Sequence, residues 1–371
     1  MELKAAGAIR SPSVEAAFLA VKRHRLVETF YRWTAQWQDA SPIPYDPEHP
    51  DPEQLELIYS NTALGTRFVD GMPASSTSQP ALVAEMLELL ELEGGMKVLE
   101  IGAGTGYNAA LMAEIVGDQR LVVTVDILED VVTQTRRLLA GTGYPEIRVL
   151  LRDGFEGVPE ESLFDRIVAT VGCSDLSPRW GEQLADAGCM LVPLEHAGGH
   201  PLVRLGKDEG RLQGRIVGWS GFMAVRGPLH VDGMWAEGTV RPGSDEEVHE
   251  REPWAGFGEG EEFPALGCSA DEIDFVFFTG LEDRRACWGP HGVGLSDALK
   301  GWAQASPVGI RWWGDDSLAA ELDRLHEGWL VRGRPRIRDY RVRFVQIDDD
   351  ETAAAGCWTI DRKFFREVVW L

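Results

Sequence analysis

The stretch Val98-Leu99-Glu100-Ile101-Gly102-Ala103-Gly104-Thr105-Gly106 decides the fold of this 371-residue chain. It reads as a buried apolar strand holding one acidic residue, then a glycine-rich turn that opens a helix over 107–116. Glycine has no Cβ, so the backbone can approach a ligand closely, and a helix N-terminus offers unpaired N–H groups. Together these predict a cofactor site. The dinucleotide fingerprint G-x-G-x-x-G requires glycine where this chain has Tyr107. Glu100 also argues against a pyrophosphate, because a carboxylate repels phosphate. It suits a ligand with a cationic amine and ribose hydroxyls.

Two further acidic positions follow in order. Asp126, followed by Ile127, ends the apolar strand Leu121-Val122-Val123-Thr124-Val125. It falls about 20 residues past the turn, the place for a group that grips ribose hydroxyls. Asp153-Gly154 comes after the strand 147–151. S-adenosylmethionine (SAM) has the required amine and ribose, and E-x-G-x-G-x-G resembles the first motif of Rossmann-like methyltransferases. That resemblance implies adenine contacts at Asp153 and Gly154.

Composition narrows the class. Hydrophobic residues make up 44% of the chain, enough for a full core, and its length suits one large or two modest domains. No run of about 18 apolar residues is present, so no membrane span is predicted. Met1-Glu2-Leu3-Lys4-Ala5-Ala6 lacks a signal-peptide pattern, and a cytoplasmic location is expected. Five cysteines (173, 189, 268, 287 and 357), widely spaced and without a C-x-x-C pair, suggest neither a disulfide framework nor a metal site. Buried thiols are expected, with Cys173 near the cofactor cleft. The net charge of −24 disfavours nucleic acid and anionic membranes as partners, and steers neutral or basic peptides towards the surface.

Along the chain, a helical pattern covers 13–37, with Val14, Phe18, Val21, Leu26, Phe30 and Trp33 as apolar positions. A Pro- and acid-rich loop spans 39–53, and 55–59 reads as a strand. The loop 71–80 leads into a helix over 81–91, with Ser78 as N-cap and Pro80 in the first turn. From 97 to 194, strands and helices alternate, with a helix at 129–139, a strand at 165–170, a helix at 180–186 and a strand at 189–193. This predicts an α/β fold with a doubly wound, mostly parallel sheet. Two hairpin strands follow at 201–205 and 214–225. An Asp/Glu/Gly-dense linker occupies 243–262. Beyond it, 273–278 and 341–347 read as strands, 318–331 as a helix and 358–371 as strand-rich. The tryptophans there are expected to pack a core. The predicted domains are 1–226, carrying the cofactor site, and 227–371, an α+β extension for peptide recognition.

Several stretches resemble protein-L-isoaspartate O-methyltransferases. The segment Arg10-Ser11-Pro12-Ser13-Val14-Glu15-Ala16-Ala17-Phe18-Leu19-Ala20-Val21-Lys22-Arg23-His24-Arg25-Leu26-Val27 is similar to their N-terminal signature, although that family usually has proline at the Lys22 position. Ser76-Thr77-Ser78-Gln79-Pro80 resembles their T-x-S-x-P segment, and Ala187-Gly188-Cys189-Met190-Leu191-Val192-Pro193 continues the similarity. The resemblance covers roughly 11–225. It implies a SAM-dependent carboxyl O-methyltransferase yielding S-adenosylhomocysteine (SAH), with a class I Rossmann-like fold and Ser78 as the active-site serine. Ser75, Ser76 and Thr77 would lie over the donor. Gly102, Ala103, Gly104, Thr105 and Gly106 would shape the methionine pocket above Glu100, and Asp126 with Ile127 would meet the ribose.

The chain continues well past the point where repair enzymes of that family usually stop. Such extended relatives resemble methyltransferases that modify an aspartate in a lanthipeptide, lasso peptide or graspetide, leading to aspartimide or isoaspartate. The substrate would then be a peptide or protein bearing aspartate or isoaspartate, with other peptide-maturation enzymes as partners. General isoaspartyl repair is the alternative. An aspartate carboxylate is already ionised at neutral pH, so no general base is required. His24, His196 and His200 are accordingly expected to be structural or exposed.

Overall fold

The strand order of the first sheet reverses at Val98–Ile101, and that reversal creates the site. Five parallel strands run Leu184–Pro193, Phe164–Ala169, Val98–Ile101, Val122–Asp126, Arg148–Leu151 across this sheet. The chain steps outward from Val98–Ile101 on one side, returns beside it at Phe164–Ala169, then continues outward on the other. In such sheets, ligands bind beyond the carboxyl ends of the strands at this switch point. The computed structural model describes residues 2–31, 41–69, 72–161, 163–235, 247–259, 262–263, 268–349 and 354–371.

Two compact units divide the chain. The first comprises Met1–Val171, Ser177–Val192 and Val225–Gly227; the second comprises Gly172–Leu176, Pro193–Ala224 and Pro228–Leu371. The second unit therefore takes in residues upstream of the 226/227 boundary expected from sequence.

In the first unit, the helix Pro12–Ala20 starts as its residues dictate. Ser11 accepts from the Val14 N–H at 3.3 Å, and Pro12, with no N–H to satisfy, occupies the first position. The helix stops at Ala20 instead of running on. A 3-10 turn covers Arg23–Leu26, and Thr29–Phe30 pairs with Ile43–Pro44. Long-range bonds from Arg23 replace the local periodicity there. Val14, Val21, Leu26 and Phe30 are buried as expected, while Trp33 and the rest of the expected helix lie outside the described residues.

Two other readings in this unit are corrected. The segment 55–59 belongs to a helix, Pro52–Tyr59, because Asp51 accepts from the Glu53 and Gln54 N–H groups at 3.0 Å and Pro52 takes the first position. Its Leu-Glu-Leu-Ile run alternates like a strand, but the Asp-Pro start signal outweighs that short pattern. Within the expected loop 71–80, Met72–Thr77 is a strand, paired antiparallel with Leu64–Val69 through a bulge beside Arg67. Gly71 lies outside the described residues. Val27, Phe30, Tyr45, Ile58 and Leu64 form a buried cluster beneath this hairpin.

The second unit is antiparallel. One sheet runs Trp358–Asp361, Phe365–Trp370, Arg341–Gln346, Arg211–Ser220, His200–Asp208. Another runs His249–Arg251, Gly309–Gly314, Gly301–Ser306, Gly292–Asp297, Ala286–Gly289, with the helices Ala270–Glu282 and Asp316–Val331 packed on it. The expected strand at 273–278 is therefore helical. Ser269 and Glu272 form a capping box, and Ile273, Phe275, Val276, Phe277 and Phe278 are all buried. The β-branched and aromatic run Ile273 to Phe278, broken only by Asp274, imitates a strand when read alone. The expected linker contains the strand His249–Arg251, and part of it lies outside the described residues. All five cysteines are free; Cys173, Cys189, Cys268 and Cys287 are buried and Cys357 is half-buried. Burial pushes the Cys173 thiol far up, and Asp175 adds to this. Among the described residues, no helix is long and apolar enough to cross a membrane, and no group of three His, Cys, Asp or Glu is placed to hold a metal.

Candidate active site

The glycine turn is shaped by its neighbours, all within the first unit. Gly102, Gly104 and Gly106 have φ of +103°, +51° and +81°, where side chains are disfavoured. A Cβ on Gly102 would meet Thr170 Oγ1 at 2.7 Å, and one on Gly104 would meet the Ser76 carbonyl at 3.0 Å. The Thr135 hydroxyl donates to the Gly104 carbonyl at 2.7 Å, and the Thr170 hydroxyl donates to the Gly102 carbonyl at 2.8 Å. The turn is therefore held from both flanks, and the hairpin strand bearing Ser75, Ser76 and Thr77 lies against it.

Glu100 sits under this turn and is 1% exposed. Its Oε1 accepts from the Asn108 side-chain amide at 2.8 Å, while Oε2 has no hydrogen-bond partner among the described residues. Burial raises its pKa to about 7; the Asn108 amide and the Thr124 hydroxyl oppose that rise, and the Asp126 charge adds to it. At the end of the next strand, Asp126 Oδ2 accepts from the Ala103 N–H and Oδ1 from the Leu128 N–H, both at 3.1 Å. Desolvation raises its pKa, against these backbone bonds. Ile127, the next residue, is 41% exposed. Past the third strand, Asp153 Oδ1 accepts from the Phe155 N–H at 2.9 Å, and the Trp180 indole donates to the Gly154 carbonyl at 2.8 Å. A Cβ on Gly154 would strike Ile101 at 2.4 Å, so glycine is required there by packing.

Ser78 lies between the hairpin and the helix Pro80–Leu90. It is not the N-cap; that position belongs to Gln79, whose side chain makes no capping bond. The Ala81 N–H is instead satisfied by Asn61 Oδ1 at 2.9 Å. With the helix start served by another loop, the half-buried Ser78 hydroxyl has no partner among the described residues. It follows directly on the hairpin strand whose Ser76 carbonyl closes on Gly104.

These features fit a sulfonium donor. The unpartnered Glu100 oxygen suits a cationic ligand, the glycines leave room for its chain, and exposed Ile127 beside Asp126 offers an apolar surface next to a hydroxyl acceptor. Sequence reasoning brought Glu100, the turn, Asp126 and Asp153 to one end of the sheet, and the structure gathers them there. It did not single out Asn108, Thr135, Thr170, Trp180 or Asn61. Each acts through hydrogen bonds to backbone or side chain, contacts with no sequence signature. The histidines are structural or partly exposed. His24 is half-buried, while burial lowers His196 to about 3 and His200 to about 4, so both are neutral.

The family profile described as Protein-L-isoaspartate(D-aspartate) O-methyltransferase matches residues 1–227. A protein-L-isoaspartate O-methyltransferase of Methanopyrus kandleri is 34% identical over 227 residues, which are 61% of this chain and 88% of the relative. Another, from Thermotoga maritima, is 39% identical over 140 residues, which are 38% of this chain and 44% of the relative. A solved structure titled as a protein-L-isoaspartate O-methyltransferase superposes with a TM-score of 0.54 at 24% identity, covering 92% of this chain and 93% of its own. Its fold thus has counterparts for most of the second unit as well as the first. The chain belongs to the protein-L-isoaspartate(D-aspartate) O-methyltransferase family, whose members are SAM-dependent carboxyl methyltransferases.

Proposed function

We propose that this protein methylates the free carboxylate of isoaspartyl residues in peptides or proteins. The observation that carries this reading is the open Ser78 hydroxyl next to the hairpin strand that closes on Gly104. Bound at the glycine turn, SAM supplies an electrophilic methyl group. In this reading Glu100 and the turn hold its methionine part, Asp126 and Ile127 its ribose, and Asp153 with Gly154 its adenine. Ser75, Ser76 and Thr77 cover it. Ser78 orients the acceptor carboxylate for an in-line displacement. A carboxylate oxygen bonds to the methyl carbon while the C–S bond breaks and its electron pair stays on sulfur. No proton moves, since the acceptor is ionised at neutral pH. The work of the site is positioning, which can supply several kcal/mol. The ester then loses methanol when the next backbone nitrogen attacks its carbonyl and closes an imide.

A second reading takes the acceptor as an aspartate in a modified ribosomal peptide, with the second unit recognising the precursor. It rests on residues 228–371, which lie beyond the family match but within the 92% of this chain that the solved protein-L-isoaspartate O-methyltransferase covers, so the first reading stands ahead of it. Both readings place the enzyme in the cytoplasm, where free thiols such as its five persist.

One experiment tests both. The full chain is incubated with SAM and a synthetic isoaspartyl peptide, or with a modified aspartyl peptide. Mass spectrometry then follows gain of one CH2 and subsequent loss of methanol. Turnover of the isoaspartyl peptide supports the first reading, and turnover of the modified peptide alone replaces it with the second. If neither acceptor gains a methyl group, both are wrong.

A further inference from the structure

Arg23 is 1% exposed, yet no carboxylate pairs with it among the described residues. Its fork is filled instead by oxygens from two segments, the end of the helix Pro52–Tyr59 with the residues after it, and the end of the strand Met72–Thr77 with Ser78. Nη1 donates to the Ile58 carbonyl at 2.6 Å and the Ser60 carbonyl at 3.3 Å. Nη2 donates to the carbonyls of Thr62 at 3.1 Å, Thr77 at 3.4 Å and Ser78 at 2.9 Å. Nε donates to Thr77 Oγ1 at 3.4 Å. The guanidinium also lies 5.9 Å from the ring centroid of Tyr107, the first residue of the helix that the glycine turn opens.

Burying a cation without a counter-ion is costly, and an apolar replacement often serves stability as well or better. The placement of this cation offers a reason for keeping it. The arginine bridges residues 58–62, which end the helix Pro52–Tyr59 and follow it, to Thr77 and Ser78, and it bonds the Ser78 carbonyl directly. An anion brought to the Ser78 hydroxyl would feel this charge through a poorly screened interior.

We infer that Arg23 is the positioning residue of the acceptor site: it fixes the backbone of Thr77 and Ser78, and its unneutralised charge draws an anionic carboxylate to the Ser78 hydroxyl. The inference rests on the reading above, in which an isoaspartyl carboxylate is the acceptor. Arg23 makes and breaks no bond; it sets where the acceptor stands.

The test uses the full-length protein, an isoaspartyl peptide as acceptor and SAH as the donor-site probe. Arg23→Lys keeps the charge and loses the fork, while Arg23→Met loses both. Arg23→Lys is expected to lower kcat about tenfold with KM near the wild-type value, because orientation alone is impaired. Arg23→Met is expected to raise KM for the acceptor by about tenfold more, because the attraction is gone too. SAH affinity should stay within roughly threefold in both variants, since Thr77 is the one residue assigned to the donor that Arg23 bonds, and the glycine turn, Glu100, Asp126 and Asp153 keep their own contacts. A residue that only stapled the loops together would lower Tm and leave kcat and KM of the folded fraction unchanged; that result overturns the inference. Thr77→Val, which removes the acceptor of Nε, provides a check if Arg23→Met does not fold. There kcat should fall several-fold, and wild-type kcat in both Thr77→Val and Arg23→Lys overturns the inference. Wild-type protein assayed alongside separates the two levels. An active wild type with insensitive variants rejects only the role of Arg23, whereas an inactive wild type rejects the underlying reading as well.

Discussion

Asn108 donates its side-chain amide to Oε1 of Glu100 at 2.8 Å, and Oε2 of that carboxylate is left without a hydrogen-bond partner among the described residues. The group ionises near 4.5 when exposed and near 7 in the fold, chiefly through burial. Between those values the folded state holds a proton that the unfolded state has released. Stability therefore falls as pH rises from about 4.5 to about 7 and is level above, a loss on the order of 3 kcal/mol. Glu100→Gln should remove this component. The Tm of the variant relative to wild type should climb across that window, and a constant difference would reject the assignment. A cationic donor favours the ionised carboxylate, so SAM affinity should rise with pH through about 7, as calorimetry can measure.

Ser78→Ala should abolish most methyl transfer without removing the donor. Loss of an orienting group at the reacting atoms costs about 100-fold in kcat. SAH affinity, read by calorimetry, is expected to stay within a few-fold of wild type. Equal loss of both would mean that Ser78 supports the donor site and not the acceptor.

Gly102→Ala places a Cβ 2.7 Å from Thr170 Oγ1 at a φ of +103°. The Thr170 hydroxyl cannot retreat without giving up its bond to the Gly102 carbonyl. The cost should be about 1–3 kcal/mol of stability, with SAH binding lost alongside. Thermal unfolding with and without SAH checks both, and an unchanged Tm would show that the turn tolerates a side chain.

Arg362 and Glu367 form a buried ion pair at 2.7 Å in the second unit, with side-chain exposures of 0% and 2%. Arg362 also donates to the Ser174 carbonyl at 2.7 Å and the Glu195 carbonyl at 3.1 Å. Arg362→Met strands Glu367 without a partner and should cost about 3–5 kcal/mol. Adding Glu367→Met should recover much of it, which denaturant unfolding of the single and double variants would reveal. If the double variant is no better than the single one, the stranded charge is not the cause.

Much of the donor side was legible because it is local. Glu100, the three glycines and Tyr107 are consecutive or nearly so, and a strand-turn-helix junction is specified by the residues in it. The placement of Asp126 and Asp153 was legible because Asp126 ends one strand, and Asp153 follows the next by two residues, in a sheet whose alternation is plain. The helices Pro52–Tyr59 and Ala270–Glu282 were not. A short alternating run hid the first, and a β-branched and aromatic run hid the second, although the Asp51-Pro52 start and the Ser269/Glu272 box were there to be read.

The amino-acid sequence by itself determined the donor chemistry, since a glycine turn with acidic residues at successive strand ends follows from short-range geometry. Only the tertiary structure decided what surrounds Ser78. Asn61 caps the helix in its place, the Ser76 carbonyl closes on Gly104, and Arg23 reaches across 55 positions to the Ser78 carbonyl. Those contacts run largely through backbone carbonyls, which every residue carries, so no pattern of side chains announces them before the chain has folded.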